Sequence, residues 1–195
     1  MMNTRYLHLL FTAAACVLMT AADEPAKKKF EPRSEPGAGQ AYLARFAGDW
    51  EVVKTFHPRE GAPVVTKGRC RQVMVRDGRF LQSDFTFDAP AAGGTAMTGQ
   101  GLIGFEPSNG LFTSVWTDSR QTRMSIRHSR EPFDGARIAL YTASVDPKAP
   151  DPWTSRTLSV LTDGDNVLTH QQFTINPDGT ERLIMELVMT RVRTP

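Results

Sequence analysis

From residue 40 onward, apolar and polar side chains mostly alternate along the chain with a period of two. Successive side chains on a strand point to opposite faces, so this period predicts strands with one face on a core. The pattern recurs over 50–57, 64–75, 79–87, 95–105, 111–117, 122–128, 136–144, 154–161, 167–175 and 181–193. Arg76-Asp77-Gly78, Ser108-Asn109-Gly110, Asp134-Gly135, Asp163-Gly164-Asp165 and Asn176-Pro177-Asp178-Gly179 separate several of these runs. Such residues tolerate the backbone angles of tight hairpins. One short helical stretch, Tyr42-Leu43-Ala44-Arg45-Phe46, comes first. Parallel strands would need crossovers of a dozen or more residues, and the spacing leaves no room for them. The expected fold is all-β, an antiparallel up-and-down barrel of about ten strands with a short N-terminal helix. Closing the meander removes exposed edges. A barrel of that width can hold a small ligand as well as its own side chains.

The first 39 residues follow a different pattern. Arg5, the apolar run from Leu7 to Met19 and the small residues Thr20-Ala21-Ala22 form a secretory signal peptide over 1–22. The run is too short for a membrane span, which needs ~20 apolar residues. Export to the periplasm or the medium is therefore expected. Cys16 after Ala13-Ala14-Ala15 offers lipidation as the lesser alternative. Residues 23–39, rich in Pro, Lys, Glu and Gly, read as a disordered linker, and 40–195 as the barrel domain. Cleavage after Ala22 leaves Cys70 as the lone cysteine, and its alternating neighbours place it inward and inert.

Charge narrows the function classes. Lys plus Arg number 23 against 21 Asp plus Glu, a net +2, which argues against a nucleic-acid partner. His57, His128 and His170 lie in separate strands without metal-ligand spacing, so neither metal nor cofactor is expected. Gly99-Gln100-Gly101 with Gly104 imitates a dinucleotide fingerprint but sits inside a strand with no helix after it. These glycines better mark a bend that closes the barrel.

The chain resembles the bacterial family known as domain of unknown function 1579. The resemblance rests on Leu43 with Ala47-Gly48-Asp49-Trp50, Gly68, Asp77 to Leu81, Gly99 to Phe105, Val115 to Ser119 and Glu186 to Arg191. Glu106 and Thr190 depart from the family pattern. The resemblance implies an exported, lipocalin-like barrel and supplies no activity. In such barrels a first-strand Trp packs under a last-strand Arg at the closed end, which gives Gly48, Trp50 and Arg191 structural roles.

Candidate ligand contacts are Trp116, Asp118, Phe112, Gln100 and His170. Phe112, Ser114, Trp116 and Asp118 share one face of their strand. A carboxylate inside a barrel beside an indole would have a raised pKa. The alternative is that Asp118-Ser119 only makes an Asx-type turn. Arg123 and Arg127 alternate with Met124, Ile126 and His128, so the arginines are assigned to the outer face. The reverse register would turn them inward and favour anionic ligands. The sequence favours a binding barrel for a small apolar or amphipathic molecule. An envelope enzyme using Asp118 with His170, or a filled barrel serving as an interaction module, is the alternative.

Overall fold

The computed structural model describes residues 35–90, 93–143 and 153–193. One helix, α1 (Ala38–Ala44), is followed by β1 (Gly48–Phe56), β2 (Val64–Val75), β3 (Phe80–Phe87), β4 (Met97–Glu106) and β5 (Leu111–Asp118). Then come β6 (Ser125–His128), β7 (Arg137–Ala143), β8 (Trp153–Thr162), β9 (Val167–Ile175) and β10 (Glu181–Arg191). Each strand pairs antiparallel with its sequence neighbours, and β10 pairs with β1 to close the barrel. The stretch read as a signal peptide, 1–22, and most of the stretch read as a linker lie outside the described residues; α1 starts at Ala38, inside the latter.

Turn chemistry sets the meander. Arg76, Asp77, Asp163 and Asp165 adopt positive φ, as do Gly78 and Gly164, the conformation that tight hairpins demand. The inner face carries Trp50, Val52, Cys70, Leu81, Phe85, Phe87, Leu140, Leu168, Leu187 and Met189, all buried. Cys70 is 2% exposed, and burial pushes its thiol well above the usual range.

α1 closes one end. The Gly37 N–H donates to Gln40 Oε1 (2.7 Å) and Gln40 Nε2 donates to the Phe105 carbonyl (2.7 Å), which ties the helix to β4. Tyr42 Oη donates to the Ala136 carbonyl at 2.6 Å. Beneath the helix, Phe105, Phe112 and Phe133 pack edge-on or tilted at 4.9 to 6.2 Å.

Two features depart from simple alternation. A bulge between Leu183 and Met185 shifts the β9–β10 register. Leu183, grouped by parity with Leu187, Met189 and Arg191, therefore leaves the cavity wall, and Ile184 and Met185 line it instead. The second is β6, only four residues long and joined to β7 through the single pair His128↔Tyr141.

Candidate functional site

The closed end rests on Gly48, Trp50 and Arg191. Gly48, at φ +139°, enters β1 just before Trp50. Trp50 is 1% exposed and its Nε1 donates to the Phe46 carbonyl at 2.9 Å. Trp50 pairs with Arg191 across the closing seam, and the guanidinium stacks 4.2 Å from the indole centroid. Arg191 also donates to three carbonyls, of Asp165 (2.9 Å), Ala47 (2.6 Å) and Arg45 (2.6 Å). A Cβ on Gly48 would lie 2.6 Å from Arg191 Nη1. The glycine is there so that the guanidinium can pass.

Above this plug lies a cavity of about 670 Å³, within the ~300–1,000 Å³ typical of ligand pockets. Leu43 and Phe46 form its floor, and Phe85, Phe87, Met97 and Met185 line its upper wall. Trp116 lies on the wall in a slot made by glycine. A Cβ on Gly99 would sit 2.3 Å from the indole, and Phe85 meets the ring edge-on at 5.5 Å.

Asp118 ends β5 at the open mouth. Trp116 Nε1 donates to its Oδ2 (3.1 Å), while the Arg120 backbone N–H (2.9 Å) and Nε (3.3 Å) donate to Oδ1. Burial pushes this carboxyl up, but hydrogen bonds from Arg120 and Trp116 and the Arg120 charge outweigh it and bring the pKa to about 2. The raised pKa expected from the sequence is thereby corrected. The backbone bond from Arg120 is the Asx turn weighed as the alternative, and Asp118 lines the cavity as well.

His170 also faces the cavity, with Nδ1 2.8 Å from Ser159 Oγ. Burial, with help from the Arg127 charge, lowers its pKa to about 4, so the imidazole is neutral near pH 7. Asp118 and His170 share no hydrogen-bond partner. The other two candidates stand elsewhere. Phe112 belongs to the aromatic cluster under α1, and Gln100 is exposed on the outer wall, donating to Asp84 Oδ1 at 2.8 Å. Parity assigned Phe112 to the inner face correctly, but its height in the barrel puts it below the cavity.

The arginine assignment is reversed. Ser114, Val115 and Trp116 of β5 pair with Arg127, Ile126 and Ser125. Directly paired residues share a face. Because Trp116 is locked inward, Ser125 and Arg127 point inward too, while Met124 and Ile126 are 64% and 50% exposed. Arg123 and Arg127 both line the cavity. Short β6 follows its partner strand rather than its own hydrophobicity. The signal that could have found this was the fixed inward parity of Trp116.

Among the described residues, no group of three or more His, Cys, Asp or Glu side chains is placed to hold a metal ion. No helix there is long and apolar enough to cross a membrane.

A closed antiparallel meander, plugged at one end by a Trp–Arg pair and holding an internal cavity, is a lipocalin-like barrel. The chain belongs to the family described as protein of unknown function DUF1579, whose model matches residues 35–191. No curated protein matches it. Among solved structures, the crystal structure of Rv2717c from M. tuberculosis is similar, with a TM-score of 0.56 and 15% identity. The similarity covers 82% of this chain and 100% of that one, and at this identity it speaks to the fold alone.

Proposed function

We propose that this protein is an exported, non-enzymatic binding barrel that takes a small apolar or amphipathic molecule into its interior. The observation that carries the reading is the cavity of about 670 Å³, closed below by Leu43 and Phe46 and walled by Phe85, Phe87, Met97 and Trp116. Burying an apolar ligand there removes its surface from water, worth ~25 cal/mol per Å² before the costs of association. Export rests on the N-terminal pattern of Arg5, the apolar run and Ala21-Ala22.

The test is a titration of the full chain with the neutral fluorophore N-phenyl-1-naphthylamine. Saturable one-to-one binding, with a blue-shifted emission and energy transfer from tryptophan, is the expected result. Non-saturating or absent binding overturns the reading and leaves the barrel an interaction module. Export is checked separately by the mass of the chain recovered from its own host, which should correspond to cleavage after Ala22.

A further inference from the structure

The cavity is more cationic than an apolar ligand requires. Lys54, Arg120, Arg123 and Arg127 line it against the single carboxylate of Asp118, although the whole chain carries only +2. Arg120 and Asp118 pair with each other at 3.2 Å at the mouth. Lys54 lies over the Phe87 ring at 4.3 Å. Arg127 is set deeper. It pairs with Ser114, four residues down β5 from Asp118 at the strand's end.

Arg127 stands out for what it lacks. Its Nε is buried and has no hydrogen-bond partner among the described residues, and none of the ion pairs there includes it. Burial draws its pKa down, and its charge is felt at His170. A buried donor without a partner, on a half-buried charge outside any of these ion pairs, is costly. The guanidinium fork matches the two oxygens of an oxyanion, and that contact would offset the cost. The other orphaned polar atom among the described residues is Gln72 Oε1 on β2. Three strands lie between β2 and β6 along the shorter way around the barrel, and an acceptor there repels an anion rather than holding it.

We infer that the ligand is an amphiphile with a singly charged oxyanion head, of the long-chain carboxylate class. Its head is held by Arg127 inside the barrel, and its chain runs along Phe85, Phe87 and Met97 toward the mouth. The inference rests on the binding reading above and adds the ligand's charge and orientation to it. Arg123 and Lys54 then draw the anion in, while Arg127 holds it.

The experiment measures displacement of bound N-phenyl-1-naphthylamine from the full chain by dodecanoate and by dodecan-1-ol. The two competitors have the same chain length and differ in the head. The expected result is a preference for dodecanoate of about tenfold or more, as for a charged group meeting its buried partner. In Arg127→Gln the ratio should collapse toward one. In Arg127→Lys, which keeps the charge and loses the fork, it should fall part of the way. In Arg69→Gln, on the outer wall, it should persist. Equal displacement by acid and alcohol in the wild type overturns the inference while leaving the binding reading intact. Loss of the preference in Arg123→Gln but not in Arg127→Gln overturns the placement of the head. Failure of the neutral probe itself to bind removes both. Thermal melts of each variant establish folding, and Arg127→Lys carries the test should Arg127→Gln not fold.

Discussion

Arg191 links three pieces of chain that are far apart in sequence: the turn after α1, the β8–β9 hairpin and the base of β1. Replacing Arg191 with Ala leaves three carbonyls without their charged donor and uncovers the Trp50 ring, a loss of about 2–4 kcal/mol in urea unfolding. Lysine should restore only part, since an ammonium cannot reach three carbonyls and stack at once. His170 gives a pH signature. Its pKa is lowered from 6.5 to about 4 in the folded chain, so the unfolded chain binds its proton first. The contribution is therefore complete above about pH 6.5 and is lost as pH falls toward 4. The loss is about 1–3 kcal/mol. Denaturant titrations across that window should show a shallower slope for His170→Gln than for the wild type. The Trp50–Arg191 pair was legible through the family resemblance, and the structure brings the two together across the closing seam. The low pKa of Asp118 was not legible, because it depends on how Arg120 folds back over the carboxylate.

The elements show where pairing outranks pattern. β6 presents apolar Ile126 outward and Arg127 inward because β5 determines which way its four residues point, and Met124 just before it is exposed as well. A longer strand would bury enough apolar surface to impose its own register; this one is joined to β7 by a single pair. β10 shows the same limit, since one bulge cancels the parity of every residue beyond it. β4 is the opposite case. Its glycines mark a bend by their sequence pattern, and their spacing also leaves the room that the Trp116 indole occupies. Gly99→Ala places a methyl group inside the ring's volume and should cost about 1–3 kcal/mol. It should also shift tryptophan emission as the indole is displaced. An unchanged spectrum and unfolding midpoint would mean that the slot is not tight.

For the whole molecule, the consequence of closure is that the cavity and the hydrophobic core share one interior. A ligand that binds only the folded barrel stabilises it by mass action, about 2.7 kcal/mol at a hundredfold excess over Kd. For a domain of this size that is a rise in melting temperature of about 5–10 °C, read by thermal unfolding with and without saturating N-phenyl-1-naphthylamine. The fold class and the strand count were determined by local information, and the Trp–Arg closure was implied by the family resemblance. Period-two alternation, turn residues that tolerate positive φ and hairpin-length spacing allow little other than a closed meander. What only the tertiary structure decided is what faces the cavity and at what height. Strand pairing turned Arg127 inward, the position of Phe112 low on its strand put it in the aromatic cluster under α1, and the Arg120 turn paired with the ionised Asp118. A strand's own sequence encodes which residues share a face. Which face is inside, and how deep each side chain sits, depends on its neighbours around the barrel.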